Sequence, residues 1–255
     1  MKKIIFIILL AGIFFSCSQS SDESRKDEAE KQKIEQENKI ARDISFDIQD
    51  DSEKNMILGD SGTAGQPNIE KHDAMHHFNL GTLKYEQDNF AGGIKEFEKV
   101  IELDPENGKA YYNLGYGKFK LNDYVGATDA FTYAIGINPE DTLSILYRGL
   151  IYYHRKDFRN AIKDYNRAIE INPNYAKAYY NRGTVCGRSN NYIGAIKDFN
   201  KAIELKPNYA EAYYNRGLAH YYLKNLHDAC YDWQKAKDMG YYNAEKAIRT
   251  YCLDE

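Results

Sequence analysis

Four prolines, Pro105, Pro139, Pro173 and Pro207, stand 34 residues apart, and this spacing constrains the fold more than any other feature of the chain. The segments between them are near-copies. NRAIEINPNYAKAYYNRG, from Asn166 to Gly183, returns 34 residues later as NKAIELKPNYAEAYYNRG, from Asn200 to Gly217, with four differences in eighteen. A fixed period of this size means one supersecondary unit repeated along a stack. Ahead of Pro173, the residues Ala161, Ile162, Tyr165, Ala168 and Ile169 follow helical spacing and form one apolar stripe. Proline has no amide proton and disfavours helix in the residue before it, so the spacing predicts a helix ending at Ile171-Asn172. A single such unit cannot bury its apolar face, but neighbours stacked on it can.

Counted from Ala74, Gly108, Thr142, Ala176 and Ala210, the eighth residue is Gly81, Gly115, Gly149, Gly183 and Gly217. The twentieth is Gly93, Ala127, Ala161, Ala195 and Ala229, and the twenty-seventh is Val100, Ala134, Ala168, Ala202 and Ala236. Small residues there let two helices approach, and the aromatic twenty-fourth residue (Phe97, Phe131, Tyr165, Phe199, Trp233) fills the space between them. This pattern resembles the tetratricopeptide repeat over residues 74–243. The resemblance implies an all-α, right-handed superhelical solenoid of five helix-turn-helix repeats, 74–107, 108–141, 142–175, 176–209 and 210–243, within 71–243. Residues 244–255 are expected as a capping helix, with Ala247, Ile248 and Tyr251 facing inward. The chain departs from the family at the seventh residue, where leucine is kept at Leu80 and Leu114 but gives way to Arg148, Arg182 and Arg216. It also departs at Tyr241, which stands where a proline is expected.

In such a solenoid the first helices line a concave groove. The resemblance places Phe78, Tyr112, Leu146, Tyr180 and Tyr214 there, together with Tyr116 from the ninth position. The sixth position supplies Asn79, Asn113, Asn181 and Asn215, interrupted by Tyr147. An amide offers two donors and an acceptor, enough to pair with a peptide backbone. The row resembles the asparagine ladders with which some members of the family hold extended peptides. Lys109, Lys177, Lys120 and Arg188 add positive charge, against Glu86 and Glu211. The carboxylate clamp known in the family needs lysine at a fifth position, and none is present.

The N-terminal part has a different character. Met1-Lys2-Lys3 precedes an apolar run from Ile4 to Phe15, too short to cross a hydrocarbon core of about 30 Å and suited to a signal peptide. Ser16-Cys17 then closes the run. This junction resembles the lipobox of bacterial lipoproteins, although Phe14 and Phe15 replace the usual residues. The resemblance implies removal of residues 1–16 and a lipid on Cys17. Between Ser18 and Glu70 the sequence carries fourteen acidic and seven basic residues and little apolar surface, and 17–70 is therefore expected to be a flexible acidic tether. The expected location is the envelope of a double-membraned bacterium, with the outer membrane first and the periplasm or inner membrane as alternatives.

A net charge of −4 gives no indication of a nucleic-acid partner. Ser144 and Ser189 lie outside any nucleophile setting, and no phosphate loop or zinc-protease motif is present. His72 and His76 could share a helix face, but no metal or other cofactor is expected. Cys186 occupies a packing position. Cys230 and Cys252 each lie about eleven residues from a reversal near Gly240-Tyr241, where an oxidising compartment would permit a bridge. The function expected is a non-catalytic adaptor that binds a protein or peptide in its groove; the alternative is a self-associating structural module. Oligomeric state is left open.

Overall fold

A computed structural model describes residues 69–252. The expected signal peptide, Cys17 and the acidic tether lie outside the described residues. Among the described residues eleven helices follow one another: α1 (Ile69–Glu86), α2 (Phe90–Leu103), α3 (Gly108–Lys120), α4 (Tyr124–Ile137), α5 (Thr142–His154), α6 (Phe158–Ile171), α7 (Ala176–Arg188), α8 (Tyr192–Leu205), α9 (Ala210–Tyr222), α10 (Leu226–Asp238) and α11 (Tyr242–Tyr251). Among the described residues there is no strand, and no helix is long and apolar enough to cross a membrane.

Each odd-numbered helix up to α9 packs on the even-numbered helix after it, and each even-numbered helix packs on the next odd one. The first helices α3, α5, α7 and α9 also touch one another in series. That asymmetry bends the stack, because elements in mutual contact occupy the inner side of the curve. The chain is an all-α superhelical solenoid of the expected class.

The repeated glycines explain how the paired helices approach. A Cβ added to Gly81, Gly115, Gly149, Gly183 or Gly217 would lie 2.9, 2.8, 2.7, 2.9 or 2.7 Å from the ring of Phe97, Phe131, Tyr165, Phe199 or Trp233. Those rings are fully buried or nearly so, and they form the floor of each repeat. Inside the stack, Ile145, Leu146, Tyr153, Tyr165 and Val185 join repeats three and four into one core.

The arginines at the seventh position have a clear structural role. Arg148 donates from Nε and Nη2 to Asp164 at 2.9 and 2.8 Å. Arg182 holds Asp198 in the same way at 2.9 and 2.6 Å, and Arg216 holds Asp232 at 2.8 and 2.6 Å. The remaining Nη1 reaches back to the preceding repeat, to Thr132, Asn166 and Asn200 respectively. Each arginine therefore ties its own second helix to the one before it. In repeat two the same pair of positions is Leu114 and Ala130, both buried and apolar.

At the C-terminal end, α10 stops at Asp238, and Gly240 takes a φ of +84°. The chain reverses there without a proline, and α11 returns along α10. Ala244 and Ala247 are buried, and the Tyr251 ring packs on Tyr221 and Trp233 at 4.6 and 5.7 Å. A disulfide joins Cys230 to Cys252, with Cα atoms 5.9 Å apart.

Candidate binding groove

The inner face is built by the first helices, and burial sorts its residues into two layers. Tyr112, Tyr180 and Tyr214, expected to line an open groove, are only 0, 2 and 4 % exposed. They pack between successive repeats instead. Tyr112 meets Phe131 and Tyr147 at 6.0 Å, Tyr180 meets Tyr209 at 4.8 Å, and Tyr214 meets Tyr241 at 4.9 Å. Bulky aromatics at these positions fill the interval between neighbouring first helices, so their rings serve the core.

The asparagine row is enclosed as well. Asn113, Asn181 and Asn215 are 0, 1 and 4 % exposed, while Asn79 is exposed on α1. The difference has a simple cause. Asn215 donates to the Tyr180 hydroxyl of the preceding repeat at 2.9 Å, so the sixth position faces backward along the stack. No repeat precedes α1 among the described residues. Asn113 donates to the Lys109 carbonyl of its own helix at 2.9 Å. One atom of each enclosed amide is left over: Asn113 Oδ1, Asn181 Nδ2 and Asn215 Oδ1 have no hydrogen-bond partner in the fold. A buried polar group in that condition costs about 1–3 kcal/mol.

The cations divide in the same way. Lys177 is buried, whereas Lys109 and Arg188 are exposed. Tyr116 is half-buried, its ring 5.6 Å from Tyr147 and 6.0 Å from Tyr85. The expected groove residues thus fall into two sets. Asn113, Asn181, Asn215, Tyr112, Tyr180, Tyr214 and Lys177 form a closed layer, and Asn79, Lys109, Arg188 and part of Tyr116 face solvent.

Repeat three breaks the row with Tyr147, which stacks on Phe131 at 5.6 Å and meets Phe119 at the same separation. The Tyr85 hydroxyl donates to the Asn113 carbonyl at 2.8 Å, linking repeats one and two. Burial raises the Tyr85, Tyr165 and Tyr180 phenols well above their ordinary range, so these groups keep their protons.

The histidines near the start of α1 are differently employed. His77 Nδ1 lies 2.7 Å from Glu96, which also accepts from Lys84 at 2.7 Å. His72 and His76 are exposed, and no group of three metal-binding side chains is brought together among the described residues. Cys186 is a free, half-buried thiol whose pKa burial pushes up.

Comparison with known proteins gives a consistent result. A family model described as TPR repeat matches residues 149–190 and 185–224, and a second, described as tetratricopeptide repeat, matches 78–142. Among solved structures, MamA is 25 % identical, with 68 % of this chain and 98 % of that one covered at a TM-score of 0.58. YrrB, described as a TPR protein with an unusual peptide-binding site, is 25 % identical, with coverage of 71 % and 94 % and a TM-score of 0.58. MamA from Desulfovibrio magneticus RS-1, 16 % identical with coverage of 72 % and 98 % and a TM-score of 0.61, shares the fold. No curated protein matches the chain.

Proposed function

The chain is a tetratricopeptide-repeat protein, and from that premise we propose that it is a non-catalytic adaptor that binds an extended peptide or partner protein along its first helices. The observation that carries this reading is the row of unsatisfied amide atoms at Asn113, Asn181 and Asn215. Buried polar atoms in native folds almost always find partners, and three left over in one register ask for an external one. A peptide backbone supplies both kinds: N–H groups for the two oxygens and a carbonyl for Asn181 Nδ2. The three side chains must turn outward to meet it, so binding is coupled to a local opening between first helices. The likeness to YrrB supports a peptide as the ligand class.

The finer reading places this adaptor at a membrane of the cell envelope, held by a lipid on Cys17 and extended on the acidic segment 17–70. Each buried CH₂ of an acyl chain contributes about 0.8 kcal/mol, and two or more chains anchor stably. Nucleic acid is not among its partners in this reading.

Both parts can be tested in cells of the source organism. A photo-crosslinking residue in place of Tyr116 should capture a discrete partner, and Asn181→Ala should abolish that capture. Asn181 is buried, so its truncation relieves the unpartnered Nδ2 but leaves a cavity, two effects of opposite sign, and folding of the variant is checked by circular dichroism and its thermal midpoint. Capture that survives in a folded Asn181→Ala variant would refute the amide-row model. Cys17→Ser should release the protein from the membrane fraction; continued tight attachment would count against lipidation.

A further inference from the structure

The turn ends of the repeats carry a second periodic pattern. In three of the repeats the thirteenth residue, which ends the first helix, rests on the aromatic residue that starts the second helix of the preceding repeat. Lys120 Nζ lies 5.4 Å from the Phe90 ring centroid. The His154 ring is stacked on Tyr124 at 5.6 Å and 10°, and Tyr222 is stacked on Tyr192 at 4.9 Å and 10°. Arg188 occupies the same register, and its charge acts on the Tyr153 phenol beside it. Lys120, His154 and Arg188 are all exposed, so the middle three repeats present a hydrogen-bonding group at each step, cationic at Lys120 and Arg188, while desolvation lowers the His154 pKa and favours its neutral form. Glu86 and Tyr222 end the series on either side.

Charge accumulates on this rim. Lys118, Lys120, Arg155, Lys156, Arg159 and Arg188 lie on it within repeats two to four, against Asp123 and Asp157. Both aspartates are occupied: Asp123 accepts from the Gly126 amide and caps α4, and Asp157 accepts from the Asn160 amide and caps α6. None of the six cations is in an ion pair among the described residues. The whole chain carries −4, so this is a local reversal of sign. One face of Tyr124 and of Tyr192 is already covered, which disfavours the open stacking that nucleic-acid bases need.

Spacing narrows the ligand further. Packed helices stand about 8–10 Å apart, and an extended chain advances about 3.3 Å per residue. Carboxylates three residues apart therefore match the interval between neighbouring first helices. We propose that the strip formed by Lys120, His154 and Arg188 docks an extended acidic segment of the partner protein, with a carboxylate about every third residue. This rests on the adaptor reading and assigns the chemistry of its partner.

The test uses the full chain and a labelled peptide of about twelve residues of Gly and Ser with Glu at every third position, read by fluorescence anisotropy. The Glu peptide should bind, and a Gln version should bind at least about tenfold more weakly. Lys120→Glu with Arg188→Glu, both at exposed sites, should weaken the Glu peptide by a similar factor and favour a Lys version. Lys120→Gln with Arg188→Gln should fall between. Absence of Glu-peptide binding, equal binding of the Gln peptide, or indifference to charge reversal in a variant with unchanged circular dichroism would each overturn the proposal. Capture at Tyr116 in cells that persists after charge reversal would leave the adaptor reading standing and remove the acidic partner alone.

Discussion

At the scale of single residues, the same repeat positions serve packing and chemistry, and burial decides between them. Gly149 is a packing residue: a Cβ there would lie 2.7 Å from the wall of Tyr165, a ring with no solvent exposure. Gly149→Ala should therefore cost about 1–3 kcal/mol, measured by denaturant melting, despite the better helix propensity of alanine. Glu96 is an electrostatic residue. The hydrogen bond from Lys84, helped by His77, holds its carboxyl down at about 2 against an ordinary 4.5. A carboxylate depressed in the folded state stabilises above its unfolded pKa and loses that contribution as pH falls toward the folded value. Stability should thus drop between pH of about 4.5 and about 2, with a shallower drop in Glu96→Gln when thermal midpoints are compared over that range.

At the scale of elements, the repeat owes its sharp corner to one backbone setting. Asp88, Asn122, Lys156, Asn190 and Lys224 all have positive φ, from 56° to 64°, and all occupy the fifteenth position. The next residue but none interrupts the turn: Asn89, Asp123, Asp157, Asn191 and Asn225 follow directly and cap the second helices with their side chains. Aspartate and asparagine tolerate the left-handed region, whereas lysine does so at a cost. Lys224→Gly should raise stability by about 0.5–1 kcal/mol, because relief of strain exceeds the added freedom of the unfolded chain. A fall in the thermal midpoint would show that the stem of Lys224, whose Nζ lies 5.9 Å from the Tyr221 ring, matters more than the strain.

At the scale of the whole molecule, a solenoid is a one-dimensional stack and its end repeats are its weak points. The C-terminal end is closed by α11, laid over Trp233 and Tyr221 and bound to α10 through Cys230–Cys252. Closing a loop of 22 residues contributes about 3 kcal/mol in the chain-entropy account. Reduction should lower the thermal midpoint and shift Trp233 emission to longer wavelength as α11 frays. Emission and midpoint unchanged by reductant would mean that packing of Ala244, Ala247 and Tyr251 closes the end without the bridge.

The period, the helix pairs and their boundaries are legible in the residues alone, because glycine, alanine, aromatic ring and proline each act through local sterics at a fixed position. The helix end at Ile171 follows directly from Pro173 in this way. The Arg148–Asp164 clamp was in principle legible as a pairing sixteen residues apart, repeated at Arg182–Asp198 and Arg216–Asp232, but a family pattern that expects leucine there conceals it. Which inner residues are surface depends on how the repeats stack. Tyr180 and Asn215 carry the composition of a groove, yet the preceding repeat closes over the sixth position and makes them partners of each other. Exposure depends on the distance between successive first helices, a property of the stack that no single repeat contains. The same stacking leaves Lys120, His154 and Arg188 in the open at the rim, where the turns are too short to cover them.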